Sequence, residues 1–239
     1  MDKANILDFL QSGRMQVQGQ FTWGSNYTFL VSLTHKRRKM KAVYKPLKGE
    51  MPLWDFQPES LAGREVAAFL LSEALGWELV PPTVIREEGP FGRGSVQFFI
   101  AHDPELTYFS MDAATRERLK PAAVFDLLLN NADRKGSHIL LDGSGHIWMI
   151  DHGLCFHAEP KLRTVMWEFS RQEIPDDLMH DVEQLVKLLD HDDALRNNLG
   201  KYLSVQEMNA LQARAEALLR HAHFPEPDPN RRPYPWPLV

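Results

Sequence analysis

The sequence predicts an α+β fold of two lobes, an N-terminal antiparallel sheet with one helix followed by a mainly helical C-terminal half. Three observations carry this reading. Short alternating segments separated by turn residues dominate positions 14–100, one helical segment interrupts them, and helical periodicity takes over beyond residue 120.

Segments 14–22 and 27–33 read as strands around Trp23-Gly24-Ser25-Asn26, where Gly and Asn accept unusual backbone angles. A third strand, 39–44, follows the basic turn His35-Lys36-Arg37-Arg38 and ends at Lys45-Pro46. A loop rich in Pro, Gly and Asp covers 47–58. Ser60 has the chemistry of an N-cap for a helix over 60–75. Leu61, Ala68, Phe69 and Leu71 recur at helical spacing, and Gly76 is placed to stop it. Strands over 80–85 and 94–100 complete the first lobe. Pro121 opens a helix through Val124, Phe125 and Leu129 that is apolar on nearly every side and therefore buried. It stops at Asn130-Asn131-Ala132-Asp133. A hairpin over 138–151 turns at Asp142-Gly143-Ser144-Gly145. Helices follow over about 176–189 and 205–221, the second opened by Ser204 and Glu207 at capping-box spacing. The Pro-rich residues 224–239 are expected to lie extended along the surface. The expected organisation is one domain over 1–239, with an N-lobe at 1–102, a C-lobe at 103–223 and the tail beyond.

Composition narrows the class. At 44% hydrophobic and 25% charged, the chain has enough apolar content for a buried core and is not a disordered one. A net charge of −5 argues against a nucleic-acid partner. Cys155 is the only cysteine, which rules out an intramolecular disulfide and points to a reducing compartment. The first thirteen residues lack the apolar run of a secretory leader, and no segment has the roughly 18 apolar residues of a spanning helix. A cytoplasmic protein without integral membrane association is expected. His152, Cys155 and His157 lie close in sequence, but no spacing matches a structural zinc site.

Chemistry concentrates at two carboxylates. Asp133 and Asp151 flank the short hairpin, which brings its ends together and lets both side chains address one space. Each sits at the rim of an apolar element, where a carboxylate needs a metal ion or a basic partner. Phosphoryl transfer asks for an acidic residue at the acceptor hydroxyl, a carboxylate and a second ligand for the metal, and a lysine on the phosphates. Asp133, Asp151, His138 and Lys45 stand where these are needed. Glu65 lies on the helix face turned to the sheet, and Lys45 is its natural cation. Replacing Lys45 by Met is expected to weaken nucleotide binding while thermal unfolding shifts by only a few degrees.

The blocks AVYKP (42–46), REVAAFLL (64–71), NNADRKGSHILL (130–141) and MIDHG (149–153) resemble the phosphatidylinositol 3- and 4-kinase-like branch of the protein-kinase-like superfamily. The likeness is strongest to type II phosphatidylinositol 4-kinases, to the bacterial HipA-type protein kinases, and to a bacterial family of this length grouped with them. The resemblance implies a two-lobed protein-kinase-like fold that uses ATP and Mg²⁺ or Mn²⁺. It implies Lys45 on the phosphates, Glu65 paired with it, Asp133 as the catalytic aspartate with Arg134 beside it, and Asp151 on the metal. It also implies that the backbone around Phe99, Ile100 and Ala101 meets the adenine. Two positions depart from the pattern: the loop 19–27 has no GxGxxG, and His138 stands where Asn is expected. Imidazole suits Mn²⁺ and other transition metals better than Mg²⁺. The leading expectation is an ATP-dependent phosphotransferase acting on a protein, a lipid head group or a small alcohol. Its alternatives are a nucleotide-binding pseudokinase that regulates a partner, and an AMP transferase on the same site.

Overall fold

In the computed structural model, residues 2–21 and 26–239 are described. The predicted turn at 23–26, at the centre of the loop 19–27, lies outside these residues apart from Asn26. Asp2 caps the first helix by accepting the backbone N–H of Asn5, and α1 runs over Lys3–Ser12. The sequence reading assigns no helix here. Its signals are the capping Asp2 and the apolar set Ile6, Leu7, Phe9 and Leu10, which packs against the sheet.

Five antiparallel strands follow: β1 (Arg14–Phe21), β2 (Thr28–His35), β3 (Arg38–Pro46), β4 (Thr83–Arg86) and β5 (Gly94–Phe98), in the order β1-β2-β3-β5-β4. On β3 the side chains alternate, with Met40, Ala42 and Tyr44 buried. Lys45 therefore projects from the opposite face, paired in register with Ser95. Gly94 lets the two strands meet, since a Cβ there would stand 2.4 Å from the Lys45 carbonyl oxygen. Pro81 and Pro82 delay β4 until Thr83. β5 ends at Phe98, short of the predicted Ile100, where the Phe99 N–H turns to the carbonyl of Lys41.

Helix α2 (Leu61–Leu75) ends as predicted on Gly76 in the left-handed region, φ +69°. Its other end differs from expectation. Ser60 makes no cap, because its hydroxyl donates to the Gln57 carbonyl. Glu50 caps instead from the preceding loop, accepting the N–H groups of Leu61 and Ala62.

The second half holds α3 (Ala113–Glu117), α4 (Lys120–Leu129), the hairpin β6 (Ile139–Leu141) and β7 (Ile147–Met149), then α5 (Asp176–His191), α6 (Asp193–Leu199) and α7 (Val205–His221). Ser204 and Glu207 form the expected capping box on α7. Two apolar cores result. The smaller lies under the sheet and includes Phe9, Leu33, Tyr44 and Val96. The larger joins α2 to the helical half through Ala67, Leu71, Phe125, Leu185 and Leu199. The tail crosses this half by backbone contacts. The Pro233 carbonyl accepts from Thr164 N and Trp167 Nε1, and the Leu238 carbonyl accepts from Gly136 N at 2.7 Å. Among the described residues no helix is long and apolar enough to cross a membrane.

Candidate active site

Sheet and hairpin meet at Lys45. Its ammonium pairs with Glu65 of α2 and donates to Asp151 Oδ1 at 3.0 Å. Glu65 is almost wholly buried, and its other oxygen accepts the backbone N–H of His152 at 3.0 Å. Burial works against the charged lysine, but Asp151 and Glu65 outweigh it and hold the Lys45 pKa above its usual value. Burial alone would raise Asp151 as well. The Lys45 charge overrides it and keeps that carboxyl well below the usual carboxylate range. Asp151 follows β7 with a left-handed backbone, φ +61°, which swings its side chain out of the strand line and into the cleft.

His138 closes the other side of Asp151, with Nε2 3.4 Å from Oδ2. Burial pushes the imidazole down to about 4, so the ring is neutral at pH 7. Its Nδ1 lies 3.1 Å from the Asp133 carbonyl oxygen, which assigns the proton to Nδ1 and leaves a lone pair on Nε2. A lone pair and a carboxylate oxygen thus face each other, a pairing relieved by a cation between them. The donors fit a divalent ion with a preference for imidazole ligands. Among the described residues no group of three His, Cys, Asp or Glu side chains forms a metal cluster, so substrate or solvent oxygens must complete such a shell.

Asp133 lies on the loop after α4, and its carboxylate is 3.4 Å from Lys135 Nζ. Burial pushes it up to about 6 and Asp151 adds to the rise, against the pull of Lys135. Asn131 fixes this loop by accepting the Asp133 N–H at 3.0 Å.

Arg134, which the resemblance sets beside the catalytic aspartate, does not line the cleft. It is fully buried, with Nε 3.1 Å from both carboxylate oxygens of Asp126. Nη1 donates to the Ile150 carbonyl at 2.7 Å, and Nη2 lies 2.9 Å from His152 Nε2. Arg134 therefore ties α4, the loop of Asp133 and the segment of Asp151 together from behind. Sequence reasoning missed Asp126, His152 and Asn131. The signal available was Asp126 itself, the one acidic residue of a helix that is otherwise apolar beyond its first residue, which demands a cation.

The predicted adenine-facing stretch is the linker after β5. Ile100 is buried, Ala101 is exposed, and the Ile100 carbonyl lies 2.9 Å from His102 Nδ1.

A sheet carrying a lysine, a helix carrying its glutamate, and a hairpin flanked by two aspartates define a protein-kinase-like molecule. Solved structures with a similar fold include hydra Fam20 with sugar, at a TM-score of 0.55 and 13% identity, over 91% of this chain and 87% of that one. The Helicobacter pylori proinflammatory kinase CtkA aligns at a TM-score of 0.53 and 11% identity, over 90% of this chain and 94% of that one. At such identities the likeness is one of fold. Residues 23–216 match the family described as phosphatidylinositol 3- and 4-kinase, and the chain belongs to that family of kinase-type phosphotransferases. It is also similar to Protein Rv2133c of Mycobacterium tuberculosis, 39% identical over 263 residues, covering 95% of this chain and 93% of that protein. Phosphatidylinositol 4-kinase gamma 4 of Arabidopsis thaliana is 29% identical over 203 residues, which is 67% of this chain but only 35% of the plant protein.

Proposed function

We propose that the chain is an ATP-dependent phosphotransferase whose reaction centre lies between Lys45, Asp133 and Asp151. The observation that carries this reading is the Lys45 ammonium held at once by Glu65 of α2 and by Asp151 after β7. Lys45 binds the nucleotide phosphates, and Glu65 keeps it from folding away. Asp151 and His138 would hold Mg²⁺ or Mn²⁺, which when bound neutralises phosphate charge. Asp133, whose pKa burial pushes up to about 6, accepts the proton of an acceptor hydroxyl. Lys135 beside it stabilises the carboxylate before transfer. The linker at Phe99, Ile100 and Ala101 offers backbone groups to the adenine. Arg134 positions the two aspartates and touches no substrate. The acceptor is an alcohol on a protein, a lipid head group or a small molecule.

The test uses γ- and α-labelled ATP with Mg²⁺ or Mn²⁺, with and without cell extract, comparing the wild type with Asp133→Ala and Asp151→Asn. Transfer of γ label that both variants lose is the expected result. Label arriving only from the α position makes the protein an AMP transferase. A second reading, a nucleotide-binding protein without transfer, is favoured by His138 at the ligand position. Saturable ATP binding with no label transferred under either metal would establish it.

A further inference from the structure

Lys45 and Glu65 belong to different cores. The lysine sits on the sheet, whose core is formed with α1, whereas the apolar face of α2 is part of the large core of the helical half. α2 also touches β4 and β5, so the place where Glu65 meets Lys45 depends on how α2 is seated on the helical half as well as on the sheet. Van der Waals packing leaves a helix some freedom to rotate and slide, and polar fastenings remove it.

Arg64, the residue before Glu65, is such a fastening. It is buried, its Nη1 donates to the carbonyl of Cys155 in the segment after Asp151, and its Nη2 pairs with Glu207. The guanidinium also lies 4.9 Å from the ring centre of Phe56. Glu207 is itself held in place by its second oxygen, which accepts from Ser204 N and Oγ at 2.8 and 2.9 Å in the capping box of α7. On the same turn Gly63 admits the ring of Tyr202, which a Cβ would approach to 3.2 Å. Successive helix residues point about 100° apart. Arg64 can thus grip the helical half while Glu65 faces the lysine. A buried ion pair of this kind is a weak source of net stability compared with an apolar replacement, but it selects one arrangement over its neighbours.

We propose that Arg64 and Glu207 are positioning residues of the reaction centre, and that their pair sets the rotation of α2 and so the point at which Glu65 holds Lys45. The inference rests on the reading of Lys45 as the phosphate contact.

The experiment measures MgATP affinity of the full chain by calorimetry for the wild type, Arg64→Met, Arg64→Lys, Glu207→Gln, Glu65→Gln, the Arg64→Met/Glu65→Gln double variant and Lys45→Met. Near-ultraviolet circular dichroism confirms that each is folded at the temperature used. Glu207→Gln keeps a capping-box residue and serves if Arg64→Met fails to fold. Arg64→Met and Glu207→Gln should weaken binding by roughly 2- to 30-fold, the range of coupling through packed contacts. Arg64→Lys should recover part of the loss, and Arg64→Met should cost nothing further once Glu65 is Gln. Wild-type affinity in a folded Arg64→Met or Glu207→Gln, or full additivity in the double variant, overturns the proposal. If Lys45→Met itself binds as tightly as the wild type, the reading of Lys45 is what has failed, and that outcome is distinct from a loss at Lys45 without one at Arg64.

Discussion

Lys45 Nζ and Asp151 Oδ1 stand 3.0 Å apart although the first belongs to the sheet and the second to the end of β7. The contact spans the cleft, so the lysine reads the relative position of the two halves directly. Glu65 shares the same ammonium from α2, which makes three elements interdependent at one nitrogen.

That sharing revises the expected effect of losing the lysine. Lys45→Met leaves Glu65 buried with only the His152 N–H beside it. Breaking such a pair from one side costs about 3–5 kcal/mol when fully buried, reduced to about 2 kcal/mol by the partial exposure of Lys45. For a chain of this size that is a fall in melting temperature of roughly 4–8 °C, more than the sequence implies. Adding Glu65→Gln should return most of it without restoring nucleotide binding. A scanning calorimetry series on the single and double variants decides the matter.

Asp133 should impose opposite pH trends on activity and stability. In the proposed role of proton acceptor it must be ionised, so the single-turnover rate should fall as pH drops through about 6. Its folded pKa lies above the unfolded value of about 3.9, so its contribution to stability is present below that value and lost as pH rises through about 6. With metal removed by chelator, Asp133→Asn should therefore melt higher than the wild type at pH 8, with the gap closing toward pH 4. A gap independent of pH would contradict the assignment.

Arg134 should behave as a structural tie. Arg134→Lys keeps the charge but cannot span Asp126, Ile150 and His152 together. We expect a loss of about 3 kcal/mol, near the lower end for a broken buried pair. The readout is the shift of the urea midpoint at constant m. An unchanged midpoint would show that Arg134 holds nothing.

Gly94→Ala should act on Lys45 from a distance. The new methyl meets the Lys45 carbonyl and Pro46 Cα, both backbone, so β3 must move. ATP affinity and melting temperature should both fall. A variant with normal affinity would show that the strand pair yields elsewhere.

The sheet strands, the Gly76 stop, the α7 capping box and the Asp133–Asp151 hairpin were legible because each follows from local spacing. Lys45 and Glu65 were legible as a pair because a carboxylate on the buried face of a helix demands a cation. The N-cap of α2 was not, since Glu50 acts across a loop and Ser60 has the better local chemistry. Nor was the burial of Arg134, because arginine is rarely enclosed and its partner Asp126 sits in a helix that otherwise reads as core. The Arg64–Glu207 pair joins residues far apart in sequence, and nothing in either neighbourhood announces it.

The carbonyl of Leu238 rests on the amide of Gly136, three residues from Asp133. An affinity handle, dye or solid support attached beside Leu238 would thus be anchored next door to the proposed reaction centre. Attachment at the Lys36-Arg37 turn between β2 and β3 meets α1, through Lys36 and Asp8, and not the loop of Asp133. Rates compared between the two formats would measure how much the aspartate loop owes to that single oxygen.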